Sequence, residues 1–354
     1  MPKIRVLVVD DAVIVRSRVS KILSSDPQLE VVGVAANGRI ALAKIPQVNP
    51  DVVILDVEMP EMNGLETLAS LRQIYPHLPV IMFSTSTQDG ASATLEALSL
   101  GASDYATKPS NLGSVEAANQ HIREELIPKI KLFGQEIPVF SAALATNPIV
   151  VPISAKTPRV DVVAIGVSTG GPNALTTLLS ALPADFPVPI LIVQHMPPMF
   201  TQLLAERLSS KCQIPVAEAV PGVVLKPGQA WIAPGDFHLI VERDADAVRL
   251  AIHQAPPENS CRPSVDVLLR SVAQVYGAAA IAVILTGMGQ DGLHGCQFIR
   301  EAGGQVLAQD QASSVVWGMP GFVVNAGLAN QIVPLEQMAS VIMQRICFDK
   351  RSGL

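Results

Sequence analysis

Charge is scarce in this chain. Asp, Glu, Lys and Arg make up 16% of its 354 residues, where a soluble domain ordinarily carries roughly 25%. The residues are 49% hydrophobic, yet long apolar runs are missing. The longest clean one covers residues 278–285, well short of the roughly 20 residues a membrane helix needs. Cysteine is sparse and dispersed, at positions 212, 261, 296 and 347, with no C-x-x-C pair. That spacing excludes the common zinc and redox motifs. An excess of basic residues is also lacking. The formal net charge is −6, residues 131–354 hold 14 Lys and Arg against 16 Asp and Glu, and no basic recognition helix is visible. Nucleic acid is therefore not expected as a partner. The apolar run before Asp10-Asp11 is too short and too soon acidic for a signal peptide, so reduced thiols and a cytoplasmic location are expected.

The length points to two domains. Strand-like runs at residues 4–9, 31–35, 52–55, 80–83 and 105–106 alternate with helical patterns near 13–23, 40–45, 65–73, 91–100 and 115–129. Five βα units in a row predict a parallel sheet with helices on both faces. From about residue 132 to 159 charges thin out and four prolines appear, at 138, 148, 152 and 158. Proline lacks an N–H and restricts its neighbour, which predicts an extended tether. A second α/β pattern begins at Val162. Its strand-like runs are 162–167, 190–193, 231–233, 239–241, 248–252 and 281–285, with helical patterns at 174–182, 201–208, 265–275 and 293–302. The expected boundaries are residues 1–124, a linker over 125–158, and residues 159–350.

Two sites emerge at predicted strand ends. In the first domain, strand one runs into Asp10-Asp11, strand three ends in Asp56, strand four in Ser84, and strand five precedes Lys108-Pro109. Carboxyl ends of neighbouring parallel strands converge on one crevice. Three carboxylates there repel one another unless a cation is present, and oxygen-only ligation suits Mg²⁺. A lone Asp pair could equally cap the next helix; co-occurrence in order is what favours a site. This stretch, with Asp56-Val57-Glu58-Met59-Pro60, Gly64 and Tyr105, resembles a two-component receiver domain. The resemblance implies a flavodoxin-like, five-stranded sheet of order 2-1-3-4-5 and phosphorylation of Asp56 by a histidine kinase. It further implies Mg²⁺ held by Asp10, Asp11, Asp56 and the Glu58 main-chain carbonyl, phosphoryl contacts from Ser84 and Lys108, and Tyr105 as the aromatic that responds.

In the second domain, a strand runs into Gly166-Val167-Ser168-Thr169-Gly170-Gly171-Pro172, a literal G-x-S-x-G. Its serine is a candidate nucleophile; the same turn could cradle a phosphate or simply cap a helix. Of six histidines, only His195 ends a clean strand directly after the serine unit. Asp291 follows another apolar strand within Thr286-Gly287-Met288-Gly289-Gln290-Asp291-Gly292, where it could orient the imidazole or cap the next helix. The order Ser168, His195, Asp291 is not that of α/β-hydrolases.

With Gln194-His195-Met196-Pro197, Cys261-Arg262-Pro263-Ser264-Val265-Asp266 and Trp317-Gly318-Met319-Pro320, this half resembles the catalytic domain of chemotaxis protein-glutamate methylesterases. The resemblance implies a doubly wound α/β/α domain with some antiparallel strands. It implies hydrolysis of glutamate γ-methyl esters on chemoreceptors and deamidation of receptor glutamines, by a Ser168–His195–Asp291 triad without a cofactor. Backbone N–H groups near Thr169 and Met288 would form the oxyanion hole. Phosphorylation at Asp56 would relieve occlusion of the site in a monomeric protein with no membrane insertion. The rival expectation is a non-enzymatic regulator that binds a ligand or partner at the Ser168 turn.

Overall fold

A computed structural model describes residues 2–109, 114–134, 159–245 and 247–347. The chain divides into two units, residues 1–144 and 145–354.

The first unit contains β1 (Ile4–Val9), α1 (Val13–Leu23), β2 (Leu29–Ala35), α2 (Gly38–Val48), β3 (Val52–Asp56), α3 (Gly64–Ile74), β4 (Val80–Ser84), α4 (Gln88–Ser99), β5 (Asp104–Thr107) and α5 (Val115–Gly134). The strands form one parallel sheet of order β2-β1-β3-β4-β5. The central strands are apolar without alternation because helices cover both faces; every residue of β3 and β4 is buried. Ile54, Ile81 and Phe83 pack in one core with Ile122 and Leu126 of α5. Helix starts are set locally. Asn63 and Glu66 close a capping box on α3, and Thr87 caps α4. Helix α5 runs through Gly134 and so takes in residues 125–134, the start of the stretch expected to be the tether. The tether's four prolines lie outside the described residues.

The second unit contains β6 (Val162–Val167), α6 (Gly171–Ser180), β7 (Ile190–Gln194), α7 (Phe200–Lys211), β8 (Val216–Glu218), β9 (Ala230–Ile232), β10 (His238–Asp244), β11 (Ala247–His253), α8 (Val265–Tyr276), β12 (Ala280–Ile284), α9 (Leu293–Glu301), β13 (Gln305–Gln309), α10 (Met319–Asn325), β14 (Gln331–Val333) and α11 (Leu335–Cys347). Seven strands form a parallel sheet of order β14-β13-β12-β6-β7-β9-β8, and β10 with β11 forms an antiparallel pair. Leu239, Val241 and Leu250 of that pair share a core with Leu268, Leu269 and Val272 of α8. Strands β8, β13 and β14 and helices α10 and α11 have no counterpart in the sequence-based expectation. The strand-like run at 239–241 lies within β10, which begins at His238.

In both sheets the chain reverses its direction of winding beside a central strand, between β1 and β3 and between β6 and β12. The crevice beyond the carboxyl ends at such a point is where open α/β sheets bind ligands.

Candidate functional site

In the first unit, that crevice holds the acidic cluster. Asp10 follows β1 and Asp56 ends β3; both are buried, while Asp11 is exposed. One carboxylate oxygen from each of the three acids lies within 4.8 Å of the other two. Lys108 bridges the two buried acids, with Nζ 2.8 Å from Asp10 Oδ2 and 2.8 Å from Asp56 Oδ2. Its backbone N–H donates to Ser84 O at 2.7 Å, which anchors it beside β4. The Ser84 hydroxyl is buried and donates to Gly90 O at 3.1 Å. Tyr105 is buried on β5, its ring 5.1 Å from Lys129 Nζ. Asp11 and Glu58 line one cleft with Met59, Pro60 and Asn63. The loop after β3 folds back tightly against α3. A Cβ on Gly64 would stand 2.2 Å from Asp56 O, so only glycine lets α3 begin there.

Burial pushes the Asp56 carboxyl up to about 6; the Lys108 ammonium pulls it down and Asp10 adds repulsion. Burial lowers Lys108, but the two carboxylates outweigh it and leave the ammonium raised. The donor set is hard and all oxygen, with acids near enough to share one small cation, so it fits Mg²⁺.

The Asp56 shift has a consequence for stability. Folded Asp56 holds its proton up to about pH 6, whereas an unfolded Asp loses it near pH 4. The contribution is therefore most favourable below pH 4 and is lost as pH rises through 6, by about 2–3 kcal/mol. Without divalent cations, Asp56→Asn should gain stability over the parent at pH 7.5 and much less at pH 5, read from urea midpoints. A difference independent of pH would contradict this.

In the second unit, Ser168 follows β6, His195 follows β7 and Asp291 lies in the loop after β12. Their strands are neighbours in register, Val167 opposite Gln194 and Gly166 opposite Ile284. The Ser168 turn is fixed by its backbone. Ser168 N–H donates to Thr286 O at 3.0 Å, Thr286 Oγ1 donates to Thr169 O at 3.0 Å, and Gln194 Nε2 donates to Ser168 O at 3.0 Å. Gln194 lies so close beneath the turn that a Cβ on Gly171 would meet its Oε1 at 1.8 Å.

His195 and Asp291 are joined, Nε2 to Oδ2 at 2.8 Å. Ser168 Oγ makes no hydrogen bond among the described residues. His195 Nδ1 instead faces Cys261 Sγ at 3.6 Å. Asp291 is buried and saturated with donors. Asn259 Nδ2 (2.9 Å), Ser264 Oγ (2.8 Å) and the Asp266 (3.1 Å) and Gly292 (3.1 Å) N–H groups reach Oδ1, and Val265 N–H reaches Oδ2 at 2.6 Å. Val265 and Asp266 begin α8, so Asp291 caps that helix from across the fold and sits at the positive end of its dipole. Burial alone would raise the Asp291 carboxyl; the imidazole and these N–H donors hold it below the usual range. Burial likewise lowers His195, and its bonds to Asp291 and Cys261 more than reverse that, so the imidazolium is favoured.

Asn259, Ser264 and Asp266 support Asp291, roles that sequence reasoning left unassigned. Ser264 precedes a helix and looks like its own N-cap, yet its hydroxyl serves Asp291 instead. Behind it, Ser264 N–H donates to His238 Nδ1 at 3.2 Å, and burial lowers that imidazole. Near Ser168, Gly287 N–H and Met319 N–H are bound to Val316 O and Gly287 O. The Met288 N–H has no backbone acceptor among the described residues.

These two sites define a class, an acidic receiver-type domain carried in one chain with an α/β domain in which serine, histidine and aspartate follow three neighbouring strands at the carboxyl end of one sheet. Comparison with known proteins agrees. Residues 6–120 match the response regulator receiver domain and residues 163–342 match the CheB methylesterase family. A protein-glutamate methylesterase/protein-glutamine glutaminase of Trichodesmium erythraeum is 61% identical over 98% of this chain and all of its own. One from a Nocardioides species is 49% identical over 99% of this chain and 98% of its own. The solved catalytic domain of the Thermotoga maritima CheB methylesterase is 42% identical and covers 53% of this chain and 99% of its own, at a TM-score of 0.52. The chain belongs to the protein-glutamate methylesterase/protein-glutamine glutaminase family.

Proposed function

We propose that this chain is a phosphorylation-switched protein-glutamate methylesterase that also deamidates glutamine, acting in chemotaxis adaptation on methyl-accepting receptors. The observation that carries the reading is the His195–Asp291 pair, 2.8 Å apart with Asp291 buried, beside the Ser168 turn. Ser168 is the nucleophile. Its hydroxyl passes a proton to the imidazole nitrogen that Asp291 leaves uncovered, as Oγ attacks the ester carbonyl. That nitrogen faces Cys261 at rest, so a side-chain rotation precedes the transfer. Asp291, held by five donors besides His195, fixes the tautomer and steadies the imidazolium. N–H groups near Thr169 and Met288 receive the oxyanion. The imidazolium protonates the leaving methoxide, methanol departs, and water repeats the cycle to release glutamate. A glutamine substrate loses ammonia by the same steps. Hydrolysis uses no cofactor.

In the receiver, Asp56 accepts a phosphoryl group from a histidine kinase. Asp10, Asp11, Asp56 and the Glu58 carbonyl would hold Mg²⁺, which supplies charge neutralisation for that transfer. Ser84 and Lys108 then bind the phosphoryl oxygens and Tyr105 follows. The first domain, with all of α5 through Gly134, and residues 159–350 are the working parts, and the remainder of the 125–158 stretch tethers them, with the unphosphorylated receiver occluding the Ser168 site. The protein acts as a cytoplasmic monomer; among the described residues no helix is long and apolar enough to cross a membrane. Methanol release from a methylated receptor, measured with and without a small phosphodonor, tests the whole reading. Release that the phosphodonor accelerates supports it; no release under either condition overturns it.

The raised imidazole adds a test of the base. Attack needs neutral His195, so kcat/KM should keep climbing with pH beyond the ordinary imidazole value near 6.5. Asp291→Asn should move the midpoint down as it lowers the rate. A plateau already reached by pH 6.5 would contradict the assignment.

A further inference from the structure

The proposed hydrolysis leaves one side chain against the imidazole without a task. Cys261 lies in the loop between β11 and α8, partly exposed, with Sγ 3.6 Å from His195 Nδ1. Sγ, an imidazole nitrogen and an Asp291 oxygen all lie within 4.8 Å of one another. Thiolate and imidazole are the preferred donors of Zn²⁺. Bonds of about 2.3 Å to sulfur and about 2.0–2.1 Å to nitrogen at a tetrahedral angle separate the two donor atoms by about 3.6 Å. The two atoms already stand at that span.

We propose that Cys261 and His195 form an inhibitory site for Zn²⁺ or a similar borderline-soft divalent cation. Nδ1 and Sγ are the protein ligands, and water fills the remaining positions. The thiol releases its proton to solvent as the metal–sulfur bond forms. Asp291 on Nε2 completes a carboxylate–histidine–metal arrangement, which fixes the tautomer that presents the Nδ1 lone pair. The nearby guanidinium groups do not repel the ion unopposed, since Arg262 is paired with Asp236 at 2.9 Å and Arg270 with Glu258 at 2.8 Å. A sulfur ligand selects against Mg²⁺, so this site and the acidic receiver pocket answer to different ions. The metal site rests on the Cys261–His195 geometry alone. Its effect on turnover rests on the reading of His195 as the base, because the ion occupies the lone pair the base needs.

Two readouts separate these parts. Titrating the full-length chain with Co²⁺ should produce a thiolate-to-cobalt absorption band that Cys261→Ser lacks. Micromolar Zn²⁺ should lower methanol release at least about tenfold, reversibly with a zinc-selective chelator, while Cys261→Ser stays near its own metal-free rate. No cobalt band in the parent chain, or a band that persists in Cys261→Ser, overturns the site. A Cys261-dependent band combined with unchanged turnover in Zn²⁺ upholds the metal site and overturns His195 as the base.

Discussion

Ser168→Ala is expected to lower methanol release by at least about 10⁴-fold, the scale on which removal of an activated nucleophile is felt. The loss should come without a loss of stability. The turn is held through backbone groups, Ser168 N–H to Thr286 O and Gln194 Nε2 to Ser168 O, and all of these survive the substitution. Ser168 Oγ has no hydrogen-bond partner among the described residues, so its removal strands no buried group. The thermal midpoint should therefore match the parent within about a degree or two. Residual turnover near the parent rate would remove Ser168 from the mechanism and shift attention to Cys261, the thiol that faces His195 at rest.

Asp56→Asn is expected to abolish all stimulation by a phosphodonor. The amide keeps the shape of the side chain but offers no nucleophilic oxygen. In the parent, the phosphoryl group adds a charge of roughly −1.5 to −2 and three acceptors at a site where Lys108 already spans Asp10 and Asp56. The Ser84 hydroxyl, now donating to Gly90 O, gains a stronger acceptor. Energies of that size bias a two-state equilibrium by about 5–150-fold, which is the stimulation expected in the parent. Rates measured on one preparation of each protein, with and without phosphodonor, decide the point. A stimulated Asp56→Asn would place control elsewhere.

Much of this fold could be read from residue patterns, for a physical reason. Strands buried on both faces are short apolar runs, and β1 from Val6 onward, β3, β4, β6 and β12 all show it. Strand β13 escaped because it reads Gln-Val-Leu-Ala-Gln. Both glutamines are buried; Gln309 Oε1 accepts from Thr286 N–H and Gln305 Oε1 accepts from Arg345, partners that lie far away in sequence. Strands β8 and β14 have three residues each, too few for a periodic signal. Site residues at strand ends were legible because sheet topology gathers them. The support of Asp291 was not. Asn259, Ser264 and the first N–H groups of α8 lie about 25 to 32 positions away, and no local pattern reveals that one carboxylate caps a helix from across the fold.

The central claim is that Ser168 is the nucleophile served by His195. Treating the full-length chain with a serine-directed acylating or phosphonylating probe and mapping the adduct by mass spectrometry tests it most directly. A single adduct on Ser168 that disappears in His195→Ala is the predicted result. An adduct on Cys261, or labelling of Ser168 that persists undiminished without His195, would contradict it.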